Sequence, residues 1–184
     1  MARLKLAAAA AICGAALVLQ GCGTRPTAPA PAPSPRPPVT VFPAPSTAAL
    51  SPAAYVVTAS SMDLFEIRSS GLALTRSRSA RVRDFARMMI SAHKGTSAQL
   101  SLAGRRLNLL PAAFMQPAQK RMFDELLRSG NFDSVYKRQQ VAGHRAALQV
   151  HAVFAVRGSS PTLRPIAQAA VPIVRRHLAM ALKL

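Results

Sequence analysis

Four histidines, His93, His144, His151 and His177, and only six acidic residues carry most of the chemistry open to this 184-residue chain. Three imidazoles and one carboxylate on facing helices suit a single zinc, iron or manganese ion, because neutral imidazole binds borderline metals and helices fix the geometry. Glu66, His93, His144 and His177 are the candidate ligands, one on each long helical segment. If the tight turns near Ser77 and Ser159 lie at the same end of the molecule, all four sit ~11 to 16 residues from it, or ~17 to 24 Å at 1.5 Å per residue. The plainer reading is that these are buried polar side chains bonded to one another or to water. His151 follows His144 by two turns but lies nearer the turn end and stands apart. There is no glycine-rich phosphate loop and no nucleophile elbow, so no constellation specifies catalysis.

The elements that must position these residues read as helix almost throughout. Ser51-Pro52 has the form of an N-cap followed by proline at the first helical position, opening a segment that runs to about Arg76. From about Ser79 to Leu107, Val82, Phe85, Met89, His93, Thr96, Leu100 and Ala103 recur at steps of three and four, which makes one helical stripe. A shorter helix from about Pro117 to Arg128 ends at Ser129-Gly130-Asn131, where glycine suits a helix C-terminus. Asp133 is the expected N-cap of a long helix reaching Arg157. After Gly158-Ser159-Ser160-Pro161, a last helix carries Ile166, Ala170, Ile173, His177 and Ala181 on one face, with a kink expected at Pro172. His144 shares a face with Val141, Leu148 and Ala155, whereas Glu66 sits at the edge of a stripe of Leu64, Ile67, Gly71 and Leu74. The expected fold is therefore all-α, an up-down-up-down four-helix bundle over residues 52–184 with one extra short helix.

The N-terminus gives an address. Arg3 and Lys5 precede an apolar run that ends in Leu19-Gln20-Gly21-Cys22, as in a secretory signal peptide over residues 1–21. The run is shorter than the ~20 apolar residues a membrane helix needs. Its last four residues resemble a bacterial lipobox, which implies acylation of Cys22, and Gly23 after it resembles the outer-membrane sorting signal. Stable anchoring needs more than one acyl chain. Residues 22–51 then form a proline-rich linker, in which polyproline II at ~3.1 Å per residue serves as a spacer. The two cysteines, Cys13 and Cys22, both precede the folded part, so disulfides and thiolate metal sites are excluded there.

The formal charge is +18, and without Arg3 and Lys5 the 24 basic residues become 22 against 6 acidic, or +16. Such a surface attracts polyanions. An exported chain meets lipid phosphates and wall polymers rather than DNA, and seven Phe, two Tyr and no Trp leave little for base stacking, so nucleic acid is an unlikely partner. The arginines at 76, 78, 81, 83 and 87 share no narrow face and read as a solvated surface.

Several stretches together resemble a known family. They are Asp63-Leu64-Phe65-Glu66-Ile67, Val82-Arg83-Asp84-Phe85-Ala86-Arg87-Met88-Met89-Ile90 leading to His93, Phe132-Asp133 with Tyr136 and His144, and Leu163 through Pro172 to His177-Leu178. The chain is similar in these to the exported bacterial ferritin-like bundles catalogued as domain of unknown function 4142 and often labelled outer membrane proteins. The family pattern has an acidic residue just before His93, where this chain has Ala92. Ferritin-like folds raise the question of a di-iron centre, which draws on Glu-x-x-His pairs. Ile90 precedes His93 by three and Val174 precedes His177 by three, so neither pair exists. The first expectation is a periplasm-facing, outer-membrane-anchored lipoprotein whose bundle is a non-catalytic interaction or structural module. A mononuclear metal-binding bundle is the alternative, and a binder of anionic envelope polymers is a third.

Overall fold

The computed structural model describes residues 50–184. The signal peptide, Cys22 and the linker up to residue 49 lie outside the described residues. Five helices follow in order: α1 (Pro52–Arg76), α2 (Ala80–Arg105), α3 (Pro117–Arg128), α4 (Phe132–Arg157) and α5 (Arg164–Ala181). Among the described residues there is no strand, and no helix is long and apolar enough to cross a membrane. The all-α bundle expected from the sequence is what forms.

Local chemistry explains most boundaries. The Ser51 hydroxyl accepts from the Ala54 amide at 3.2 Å with proline in the first turn of α1, and the Ser79 hydroxyl accepts from Val82 at 3.4 Å to open α2. Helix α2 stops at Arg105, two residues before the expected end, because Leu107 and Leu109 both turn back to donate to the Gly104 carbonyl. Asn131, not Asp133, is the N-cap of α4: Phe132 already belongs to the helix, its ring stacked on Tyr136 and under the Arg76 guanidinium. Asp133 lies in the first turn, where a carboxylate favours the helix dipole. Gly130 follows a Ser129 C-cap without a positive φ, so its conformational freedom is not used. Helix α5 starts late, at Arg164, after a turn in which the Ser160 carbonyl accepts from Leu163 and Arg164. It continues past Pro172 to Ala181.

Helix α1 packs mainly on α2 and α4 mainly on α5, while α1–α4 and α2–α5 contacts close the ring. Two apolar clusters occupy opposite ends. One joins Tyr55 and Val56 near the start of α1 to Leu100 and Ala103 of α2, Val150 and Phe154 of α4, and Leu163 and Ala167. The other joins Ala73 to Val82, Phe85, Leu126, Tyr136 and Ala181. Successive helices therefore alternate in direction when α3 is counted. The four long helices alone run up, down, down, up, because the 106–116 connection and α3 together carry the chain back along the bundle, the single crossover of a ferritin-like arrangement.

This corrects one premise of the level argument. The turns near Ser77 and Ser159 lie at opposite ends, the first beside Ala73 and Val82, the second beside Phe154 and Leu163. The candidate residues still share a level, because each stands 12 to 14 residues from the end of its helix that lies beside Phe154 and Leu163.

The buried faces also differ from the expected stripes. Leu64, Ile67, Gly71 and Leu74 are only half-buried, and α1 instead turns inward Ser60, Ser61, Asp63, Glu66, Ser69 and Ser70 between its apolar ends. The expected α4 and α5 faces are offset in the same way, with Val141, Leu148, Ile166 and Ile173 half-buried while His144 and His177 are fully inside. A polar layer thus separates two apolar cores. The arginines read as a solvated surface mostly have structural partners: Arg76 donates to the carbonyls of Leu126, Leu127 and Ser129, Arg83 to Ser77, Arg81 to Lys183, and Arg87 pairs with Asp84.

Candidate metal centre

Three of the four expected ligands come together inside this polar layer. His93, His144 and His177 each offer one ring nitrogen, and these three atoms all lie within 4.8 Å of one another. Their ring centroids are 5.3 to 5.7 Å apart. All three residues are buried, at 5%, 1% and 4% exposure. A tetrahedral ion with bonds of ~2.0–2.1 Å holds its ligands ~3.3 Å apart, a modest closure for rotating imidazoles.

Hydrogen bonds decide which nitrogens are free. His93 Nδ1 is 2.7 Å from Asp63 Oδ1, and His144 Nδ1 is 2.8 Å from the Gln140 carbonyl. Both partners accept, so Nδ1 of each ring carries the proton and Nε2 of each neutral ring presents its lone pair. His93 Nε2, His144 Nε2 and His177 Nδ1 have no partner among the protein groups. An orphaned buried polar atom costs ~1–3 kcal/mol, so one on each of three adjoining rings calls for a ligand.

Glu66 is not in that cluster. Its Oε1 lies 3.8 Å from His144 Nδ1, the nitrogen already committed to Gln140, and its Oε2 is buried without a partner. It therefore stands behind His144 rather than beside the free nitrogens. His151 is also outside the cluster, buried with Nδ1 3.0 Å from the Tyr55 hydroxyl. Asp63 was absent from the expected site, yet it braces the centre: besides His93, it accepts from Thr96 Oγ1 at 3.0 Å and from Ser97 Oγ at 3.0 Å. Its spacing of three residues before Glu66 puts both carboxylates on adjoining faces of α1, a signal present in the sequence.

Electrostatics favour a neutral ring at His144 and His177 and a protonated one at His93, whose proton an ion would displace. Burial, reinforced by the His93 charge, lowers His144 to about 4, and burial with the neighbouring His93, His144 and Arg176 lowers His177 to about 3. Burial opposes charge on His93 as well, but the hydrogen bond and charge of Asp63, with Glu66, outweigh it and raise that ring. Burial pushes Glu66 up to about 7 against the lowering influence of His93 and Gln140. The donor set fits a divalent ion: imidazole nitrogens, with the rings of His93 and His144 oriented from behind by a carboxylate and a carbonyl. A cavity of about 30 Å³ adjoins His93 and His144, lined also by Tyr55, Asp63, Glu66 and His151. That is room for a few water-sized molecules at ~10–15 Å³ each.

A search of curated proteins found no significant match. A solved structure described as "CopM in the Cu(II)-bound form" is similar in fold, with a TM-score of 0.63 over 74% of this chain and 96% of that one, at 14% identity. The profile of the family described as Domain of unknown function (DUF4142) matches residues 38–184, and the chain, whose motifs at 63–67 and 82–90 resemble that family, belongs to it.

Proposed function

We propose that this domain is a non-catalytic metal-holding module of the cell envelope, taking one divalent transition-metal ion on His93 Nε2, His144 Nε2 and His177 Nδ1. The observation that carries this reading is the convergence of three buried histidines, each offering a ring nitrogen within 4.8 Å of the others and each holding one nitrogen without a partner among the protein groups. A plain polar layer would have its histidines bonded to one another, and these nitrogens are not. Asp63 and the Gln140 carbonyl would orient two ligands, and Glu66 would set the charge behind His144. Three protein ligands leave a fourth position for water or a small anion. The structural neighbour's description names Cu(II), but at 14% identity the likeness extends to the fold, so copper enters as one candidate beside zinc, iron and manganese.

Metal analysis of protein purified without chelator tests the reading, with the His93→Ala, His144→Ala double variant as control. Near one equivalent in the wild type and none in the variant is the expected result. Wild type that is metal-free and takes up none of these ions in equilibrium dialysis overturns it. The address is part of the same proposal: acylated Cys22 holds the module to the periplasmic face of the outer membrane through the proline-rich spacer. Incorporation of a palmitate analogue should disappear in Cys22→Ala, and labelling that persists would place the lipid elsewhere.

A further inference from the structure

The connection between α2 and α3 exposes two large apolar side chains, Leu110 at 74% and Phe114 at 79%. An isolated exposed leucine is ordinary. These two belong to a backbone that is held in place at several points. The Leu109 amide donates to the Gly104 carbonyl at 2.9 Å, the Ala112 amide to Ser60 Oγ at 2.7 Å and the Gln116 amide to Ser61 Oγ at 2.7 Å. Asn108 takes a positive φ of 55° to make the turn. The segment is thus fastened to α1 and α2 while its apolar side chains point outward.

Position and charge indicate what covers them. Leu50, through which the N-terminal chain must enter the domain, packs in the same apolar cluster as Leu107 and Leu109. Leu102 and Val156, in the last turns of α2 and α4, are exposed at that end too, at 59% and 76%. Arg105, Arg106 and Arg121 are exposed around the connection, and no acidic residue occurs between Asp84 and Asp124. Exposed apolar side chains on a stretch that carries cations and no carboxylate suit the boundary between anionic headgroups and acyl chains. A second copy of so basic a chain would bring like charges together at the same patch.

We infer that Leu110 and Phe114 insert into an anionic lipid surface, with Arg105 and Arg106 on its phosphates, so that the domain lies with its linker-entry end against the bilayer. This inference is independent of the metal.

The chain has no tryptophan, so single-tryptophan variants report the contact directly. Full-length Phe114→Trp and, as control, Leu127→Trp at the opposite apolar cluster are reconstituted into phosphatidylglycerol vesicles with brominated acyl chains. The indole at 114 should emit further to the blue and be quenched at least about twofold more than that at 127, with the difference shrinking in high salt or with Arg105→Gln, Arg106→Gln. Equal quenching of both indoles, or none at 114, overturns the inference. So does a blue shift at 114 that grows with protein density without bromine quenching, because a second copy would then be the cover.

Discussion

Asp63 shows how one side chain can govern a site without being a ligand. Its Oδ1, 2.7 Å from His93 Nδ1, keeps the other nitrogen of that ring aimed at His144 and His177, and it is itself held by Thr96 and Ser97. Asp63→Asn removes the charge and weakens the acceptor, and metal affinity should fall ~10- to 100-fold in a chelator competition, with the helical content unchanged. His151 makes the opposite contribution. Burial lowers it from 6.5 to about 4, so the unfolded chain binds the extra proton between those values. Its share of stability is complete above pH 6.5 and is lost as pH falls toward 4, a total of roughly 3 kcal/mol. Urea unfolding in chelator at pH 7 and pH 4.5 should show a smaller acid loss for His151→Gln than for wild type; equal losses would assign the acid sensitivity to other groups.

At the scale of elements, the two glycines of α2 separate helix propensity from packing. A Cβ on Gly104 would lie 2.7 Å from the Leu109 backbone carbonyl, which cannot move without loosening the 106–116 connection. Gly104→Ala should therefore destabilise by ~1–3 kcal/mol. A Cβ on Gly95 meets nothing within 4 Å, so Gly95→Ala should stabilise by up to ~1 kcal/mol through helix propensity alone. The midpoints of denaturant unfolding for the two variants should move in opposite directions. Arg76 works at this scale too, since its guanidinium closes the C-terminus of α3 by donating to the carbonyls of Leu126, Leu127 and Ser129.

For the whole molecule, the two apolar cores are joined across a layer whose orphaned nitrogens weaken it, and an ion there would tie α2, α4 and α5 together. Metal at 100 times its dissociation constant should then stabilise by ~2.7 kcal/mol, visible as a rise in Tm that chelator reverses and the His93→Ala, His144→Ala variant lacks. A metal-independent Tm would mean that no ion binds the folded state preferentially.

The sequence by itself determined the helices, the cap at Ser51 and the placing of His93, His144 and His177 at a similar level along their helices, because capping chemistry and the 3.6-residue repeat are local. Only the tertiary structure decided the direction of the four long helices, since the crossover through α3 depends on where Gln119 meets Ser61 and Leu126 meets Arg76. It also decided that a face rich in serine, Asp63 and Glu66 turns inward on α1 in preference to Leu64 and Ile67. A hydropathy stripe ranks single side chains by transfer from water, whereas buried hydroxyls and carboxylates are stabilised by partners on other helices, such as Tyr136 for Ser70 and His93 for Asp63. For the same reason Glu66, a candidate ligand by its level in the sequence, was separated from the cluster only by contacts remote in the chain, whereas the position of His151 already set it apart in the sequence.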